Sequence, residues 1–306
     1  MNLWIPDGWK DYELIDTGGL EKLERFGSFF LARPEPQAVW GKALPPGQWE
    51  KLAHARYQRT RGVDPGKSDN FEKGEWIRKK SMPDQWTVGY QHGEMKLTFR
   101  LGLTSFGHIG IFPEQAENWN YVYDILSKSA VGSRQPAVRV LNLFAYTGGA
   151  SLAAKAAGAD VVHVDSVKPV INWAREMMET SGMKDIRWVV EDAVKFVKRE
   201  TKRGNLYQGI ILDPPAYGRG PEREKWILQE GIDELIADCR QLLDPAGGFF
   251  IFSLYSMGFS AHIGENLIKN HFGNVAGTET GELGFRDRAG RILPLGTCLR
   301  FNHEKV

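Results

Sequence analysis

Val138-Arg139-Val140-Leu141-Asn142-Leu143-Phe144-Ala145-Tyr146-Thr147-Gly148-Gly149-Ala150 runs from a β-branched stretch into a glycine pair. Val161-Val162-His163-Val164-Asp165 then repeats the pattern of an apolar run ending on a polar residue. Between the two, residues 150–157 are rich in Ala and read as a short helix. Strand, glycine turn, helix and strand in that order open a βαβ unit, whose two strands must lie parallel.

Outward toward the C-terminus the alternation continues. Ile186-Arg187-Trp188-Val189-Val190, Gly209-Ile210-Ile211-Leu212-Asp213 and Gly248-Phe249-Phe250-Ile251-Phe252-Ser253 are further strands. Helices are predicted over 169–180, 193–203 and 223–243. A hairpin is predicted from Gly281–Arg286 and Arg291–Phe301, turning through Asp287-Arg288-Ala289-Gly290. Five strands and a closing hairpin give an α/β fold, a doubly wound, mostly parallel sheet of seven strands. Toward the N-terminus the texture differs. From about Tyr12 to Val131 short apolar runs such as Gly27–Ala32 and Lys96–Leu101 are separated by Gly and Pro, which reads as β-rich. A helix over 115–129 and the connector Gly132-Ser133-Arg134-Gln135-Pro136 then lead into the alternating region. The expected division is a β-rich module over 1–132, serving substrate binding or as a lid, and an α/β domain over 133–306.

In an open α/β sheet a ligand binds beyond the carboxyl ends of the strands, so the residues just after each strand carry the chemistry. After the first comes Phe144-Ala145-Tyr146-Thr147-Gly148-Gly149, where two residues without Cβ let a ligand approach the backbone. Asp165 follows the second and can accept bonds from both hydroxyls of a ribose, or cap the helix containing Pro169. Glu191-Asp192-Ala193 follows the third, where Asp192 suits an adenine amine or a helix N-cap. Asp213-Pro214-Pro215-Ala216-Tyr217 follows the fourth. The first turn lacks the Gly-x-Gly-x-x-Gly of dinucleotide sites, and no Walker lysine is present. An adenosine site without a diphosphate cradle points to S-adenosylmethionine over NAD or ATP.

Leu141–Gly149, Val164-Asp165-Ser166, Glu191-Asp192-Ala193 and Asp213–Tyr217 together resemble a class I, Rossmann-like methyltransferase. More narrowly the chain resembles the bacterial 23S ribosomal RNA methyltransferases that pair this domain with a small β-rich N-terminal module. Gly110-Ile111-Phe112-Pro113-Glu114-Gln115-Ala116-Glu117-Asn118 resembles that family's Gly-Phe-aromatic-x-x-Gln-x-x-Asn segment, so the likeness covers about Gly107 to Phe301. The resemblance implies that Phe144, Ala145, Tyr146, Thr147, Gly148 and Gly149 contact the methionine part of the cofactor. It places Asp165 with Ser166 at the ribose and Asp192 with Glu191 and Ala193 at the adenine. Gln115 reaches the cofactor from the neighbouring module, and Asp213 borders the site.

The sulfonium cofactor is already electrophilic, so the protein must align a nucleophile and handle one proton. Asp213-Pro214-Pro215-Ala216-Tyr217 resembles the Asp-Pro-Pro-aromatic motif of amino-methylating enzymes, with one residue inserted before the aromatic. The resemblance implies that Asp213 and the Pro214 carbonyl accept the target N–H bonds and that Tyr217 stacks on a base. The alternative is that the prolines end the strand and Tyr217 packs as a lid. Cytosine C5 methylation requires a cysteine thiolate. After the fifth strand, Phe252-Ser253-Leu254-Tyr255-Ser256 offers serine where C5-methylating relatives carry cysteine, and Cys239 and Cys298 read as core residues. That leaves a ring nitrogen, an exocyclic amine or a hydroxyl as the acceptor, and the resemblance of Asp213–Tyr217 to the amino-methylating motif implies a nitrogen.

The chain of 306 residues carries a net charge of only +1, so RNA binding would need a local patch. Lys51 to Lys80 is the candidate: Lys51, Arg56, Arg59, Arg61, Lys67, Lys73, Arg78, Lys79 and Lys80 outnumber the acids there, with Tyr57, Phe71 and Trp76 interleaved. The alternative is a solvated charged loop. Two cysteines are too few for a disulfide framework or a zinc site. Neither a secretory signal nor an apolar run of membrane length is evident, and a cytoplasmic location is expected. Besides RNA methylation, the same core could methylate a small molecule or a protein, or serve ribosome assembly without turnover.

Overall fold

The structure, a computed structural model, describes residues 2–59, 74–130, 137–255 and 259–303. In chain order, β1 (Asn2–Trp4) precedes a run of seven strands. These are β2 (Tyr12–Gly18), β3 (Glu21–Phe26), β4 (Phe29–Pro34), β5 (Ala55–Arg59), β6 (Gly74–Arg78), β7 (Gln85–His92) and β8 (Met95–Gly102), with α1 (Gln48–Leu52) between β4 and β5. A short turn of 3-10 helix (Pro113–Gln115) leads into α2 (Ala116–Ala130). The alternating region follows as β9 (Arg139–Leu143), α3 (Gly149–Ala156), β10 (Asp160–Asp165), α4 (Lys168–Thr180), β11 (Arg187–Val190), α5 (Ala193–Lys202) and β12 (Gly209–Leu212). It ends with β13 (Tyr217–Arg219), β14 (Lys225–Ile227), α6 (Leu228–Leu242), β15 (Gly248–Leu254), α7 (Ala261–Phe272), β16 (Glu279–Arg286) and β17 (Ile292–His303).

Two compact units result. One comprises Met1–Trp4, Glu114–Leu283 and Leu295–Val306, the other Ile5–Pro113 and Gly284–Pro294. The sequence boundary at 132/133 therefore differs from the grouping seen here. Residues 131–136, the expected connector, lie outside the described residues, and α2 groups with the α/β unit. The reason is apolar: Ala116, Trp119, Val122 and Leu126, at helical spacing, are buried.

The α/β unit is built on a sheet of order β1-β16-β17-β15-β12-β9-β10-β11. Five strands, β15-β12-β9-β10-β11, are parallel, as the alternation predicted, and β17 closes antiparallel on β15 with Phe252 opposite Leu299 and Ser253 opposite Cys298. The described sheet has eight strands where seven were expected. The addition is β1, which pairs parallel with β16. Three residues carry too little periodicity to signal a strand. What secures them is Trp4, whose ring faces the Arg300 guanidinium at 4.1 Å while Tyr121 faces the same group at 4.2 Å. Leu141, Leu143, Ile210, Leu212, Phe250 and Phe252 make one core with Phe196, Leu235 and Ile236. Burial of both sheet faces is why these strands read as continuous apolar runs.

The second unit holds a five-stranded sheet, β2-β3-β4-β5-β6, and the β7–β8 hairpin. Its charged groups are deeply placed. Glu24 receives a bidentate pair from Arg33 (2.8 and 2.9 Å) and a bond from the Tyr12 hydroxyl (3.0 Å). Arg291 donates to Asp16, to Asp287 (2.9 Å) and to the carbonyls of Thr17 (2.7 Å) and Gly41 (2.6 Å). Of the Lys51–Lys80 stretch, residues 60–73 lie outside the described residues, Arg61, Lys67, Phe71 and Lys73 among them. Of the cations that are described, Arg56 pairs with Glu21 and Glu50, Arg78 with Asp84, and Lys79 with Glu50. No described helix is long and apolar enough to cross a membrane.

Candidate active site

The chain lays β9, β10 and β11 outward in one direction and then returns to place β12 on the other side of β9. The crevice of such a sheet opens where the order reverses, at the carboxyl ends of β9 and β12. The loop from Phe144 to Gly149 and the carboxylate of Asp213 stand at those two ends.

The loop is held in an unusual backbone form. Phe144 (φ 54°), Tyr146 (φ 50°) and Gly148 (φ 87°) are all left-handed, and for the two aromatic residues that conformation costs about 1 kcal/mol or more each. Specific bonds oppose the cost. The Ala145 N–H donates to the Val164 carbonyl (3.0 Å), Gly148 N–H to the Ala145 carbonyl (3.0 Å), and Tyr146 N–H to Asp165 Oδ2 (2.9 Å). The Phe144 ring packs on Trp226 with centroids 5.2 Å apart.

The two glycines serve different purposes. A Cβ on Gly148 would lie 3.2 Å from the His163 ring beneath it, and its positive φ already favours glycine. A Cβ on Gly149 would lie 2.5 Å from the Trp119 ring of α2, so the missing side chain here lets that helix approach. Beneath the loop, Asn142 Nδ2 donates to Ser151 Oγ (2.9 Å), which stands 3.0 Å from His163 Nδ1. Burial lowers the His163 pKa to about 3, so the ring is neutral.

Asp165 is half-buried at the end of β10. Burial raises its pKa, against the pull of the backbone N–H groups of Val167 and Tyr146. Its Oδ1 accepts from Val167 N–H (2.8 Å), but the N-cap of α4 is Val167, so the capping alternative does not describe it. Asp192 is a true N-cap, accepting from Lys195 N–H at 2.9 Å, and Glu191 forms an ion pair with Arg199. Ser166 and Ala193 follow these carboxylates directly.

Asp213 lies one residue past β12. Desolvation raises its pKa to about 6, and its Oδ2 accepts from Gln115 Nε2 at 3.3 Å. Gln115 groups with the α/β unit and not with the β-rich module, which corrects its expected origin. Beyond Asp213 the chain is fixed by the β13–β14 hairpin, whose second strand falls where the sequence predicts the start of the helix over 223–243. Trp226 Nε1 donates to the Pro215 carbonyl (2.7 Å), and Leu228 N–H to the Ala216 carbonyl (3.1 Å). Pro214 is buried, whereas Tyr217, paired in register with Ile227, leaves 47% of its surface exposed. Cys239 and Cys298 are both buried. Burial pushes both thiols up, Cys298 to about 11, so neither is a thiolate near neutrality. Ser253 lies in β15 opposite Cys298, and Ser256 lies outside the described residues.

The donor set fits S-adenosylmethionine: a left-handed glycine loop at the end of β9, a carboxylate after each of β10, β11 and β12, and no Gly-x-Gly-x-x-Gly in the turn after β9. Trp119, His163 and Trp226 support this site and carry no sign of it in the sequence. All three sit in a helix or strand, where only the fold reveals which face they serve.

Known proteins agree. The profile described as S-adenosylmethionine-dependent methyltransferase matches residues 74–258. A SAM-dependent methyltransferase of Agrobacterium tumefaciens superposes with a TM-score of 0.87 at 33% identity, covering 99% of this chain and 93% of that one. The ribosomal RNA large subunit methyltransferase K/L of Shewanella frigidimarina is 30% identical over 153 residues, 49% of this chain and 20% of that protein. Its counterpart in Shewanella amazonensis is 30% identical over 201 residues, 64% of this chain and 27% of that protein. The chain thus spans about a fifth to a quarter of the length of these curated relatives. Matched by the family profile over more than half its length, and by a solved relative over nearly all of it, the chain belongs to the S-adenosylmethionine-dependent methyltransferases.

Proposed function

We propose that this protein methylates ribosomal RNA at a nitrogen of a base, acting in the cytoplasm. The observation that carries the acceptor is Asp213: a desolvated carboxylate at the switch point, followed by two prolines and an exposed tyrosine. Bound S-adenosylmethionine supplies an electrophilic methyl group. Gly148 and the loop from Phe144 to Thr147 and Gly149 hold its methionine part. Asp165 and Ser166 hold the ribose, Asp192 the adenine with Glu191 and Ala193 beside it, and Gln115 borders the cofactor. A target amino group gives one N–H to Asp213 and one to the Pro214 carbonyl, since Trp226 already occupies the carbonyl of Pro215. As the nitrogen gains the methyl carbon it sheds a proton, and the Asp213 carboxylate is placed to hold that proton. Tyr217 stacks on the base. Two protonated thiols support nitrogen over cysteine-dependent C5 chemistry. The β-rich unit presents the RNA.

Tritiated-methyl transfer from labelled S-adenosylmethionine to unmodified ribosomal RNA tests this reading. Label is expected in a nitrogen-methylated nucleoside on digestion. No incorporation into any RNA fraction, or label recovered as 5-methylcytidine, overturns it.

A further inference from the structure

Behind Asp213 a row of side chains from four elements fixes which way two carboxamides face. We propose that Asn118 is a positioning residue for Asp213: by holding the Gln115 amide in one of its two flipped orientations, it keeps an N–H rather than a carbonyl oxygen on the Asp213 carboxylate. This rests on the reading of Asp213 as the acceptor of the target N–H.

Gln115 ends the 3-10 turn and Asn118 lies in the first turn of α2, three residues on and therefore on the same face. Asn118 Nδ2 donates to Gln115 Oε1 at 2.7 Å, and Gln115 Nε2 donates to Asp213 Oδ2 at 3.3 Å. An amide has a donor end and an acceptor end. If Gln115 turned over alone, its NH2 would face the NH2 of Asn118 and its oxygen would face a carboxylate. If both amides turned together, the contact between them would be restored, with the Gln115 oxygen still against Asp213. Something must therefore fix Asn118.

Two groups do so. The Cys298 thiol, from β17, donates to Asn118 Oδ1 at 3.3 Å, and Ser253 Oγ, from β15, accepts from Asn118 Nδ2 at 3.3 Å. Ser253 and Cys298 are cross-strand neighbours, and Asn118, Ser253 and Cys298 are all buried, so water does not compete. Burial also keeps the thiol protonated and hence a donor. The polarity runs from the thiol through Asn118 and Gln115 to Asp213. Cys298 is the titratable group that faces Asp213 across this row, and it stays neutral around pH 7. The relay favours ionised Asp213, against the desolvation that favours the protonated form. Without it, a flipped Gln115 oxygen would accept a bond from protonated Asp213 and stabilise that form.

The test is a carbon-13 NMR titration of the full-length protein labelled at aspartate carboxylates, with Asp213→Asn identifying the resonance. In Asn118→Leu the Asp213 midpoint is expected to rise by about one unit, a tenfold change in its ionisation constant. Cys298→Val, which removes the thiol donor, shifts it in the same direction, and Cys298→Ser, which restores a donor, returns it toward the wild-type value. An unchanged midpoint in folded Asn118→Leu overturns the proposal. Should that variant fail to fold by circular dichroism, an unchanged midpoint in Cys298→Val does so. A purely structural role would lower stability without moving the midpoint. The titration needs no RNA, so failure of the ribosomal RNA reading and failure of the relay are separately visible.

Discussion

In the proposed function Asp213 joins the chemistry of the site to its stability. Its pKa rises from an ordinary 3.8 to about 6 because the folded protein removes the carboxylate from water. Below about pH 4 both folded and unfolded chains hold the proton, and the site costs nothing. Between about pH 4 and 6 the unfolded chain releases it and the folded chain does not, so stability falls as pH rises; above about pH 6 the full cost is present. Asp213→Asn cannot ionise. It should be more stable than wild type at about pH 8 by roughly 1–3 kcal/mol, with the difference vanishing near pH 4. Thermal melts across that range read the effect, while methyl transfer is abolished. An advantage over wild type that is no larger at pH 8 than at pH 4 removes the desolvation account. In the wild type, methyl transfer should rise through about pH 6 as the carboxylate ionises. At this scale the placement of the candidate residues was legible, because Phe144–Gly149, Asp165, Asp192 and Asp213 each follow a strand, and strand ends are visible in sequence. The contacts among Asn118, Ser253 and Cys298 were not, since these residues meet only through pairing across 180 residues.

The elements follow the same logic. Five parallel strands and the closing hairpin were readable because burial of both sheet faces writes continuous apolar runs. The β13–β14 hairpin was not. Each of its strands is three residues long, and Lys225-Trp226-Ile227 runs straight into Leu228 of α6, so helical periodicity absorbed the second strand and left the first without a partner in the sequence pattern. The turn between β16 and β17 was placed correctly from Asp287-Arg288-Ala289-Gly290, but its anchoring was invisible. Arg291 directs its guanidinium donors to Asp16, Asp287 and the carbonyls of Thr17 and Gly41, with both carboxylates almost wholly buried. Removing one partner of such a network strands charges where water cannot reach them. Arg291→Ala should cost about 3–5 kcal/mol in urea denaturation at neutral pH. Arg291→Lys should recover little, since one ammonium cannot reproduce the planar fork. A loss under about 1 kcal/mol, typical of an exposed pair, would mean that solvent reaches these carboxylates.

For the whole molecule, sequence punctuation suggested a single cut at 132/133, whereas each unit gathers separate stretches of chain: Met1–Trp4 joins the α/β unit and Gly284–Pro294 the β-rich one. Local Gly and Pro signals cannot reveal such exchanges, because they mark where a chain turns and not where it packs. Net charge behaves similarly. The Lys51–Lys80 stretch counts as basic in sequence, yet three of its described cations, Arg56, Arg78 and Lys79, pair with Glu21, Glu50 and Asp84. Exposed pairs of this kind are worth little, so phosphates can compete for the cations, though each must displace a carboxylate. Glu50 is the economical place to test this, since it faces both Arg56 (2.7 Å) and Lys79 (3.6 Å) on the exposed side of the unit. If these cations bind RNA, Glu50→Gln should hold an unmodified ribosomal RNA fragment more tightly. The slope of log K against log salt should steepen by about 0.7–0.9 for each further phosphate that is neutralised. Fluorescence anisotropy of the full-length protein across a potassium chloride series measures both. An unchanged slope with unchanged affinity would remove this face from the RNA path and leave binding to other surfaces of the protein.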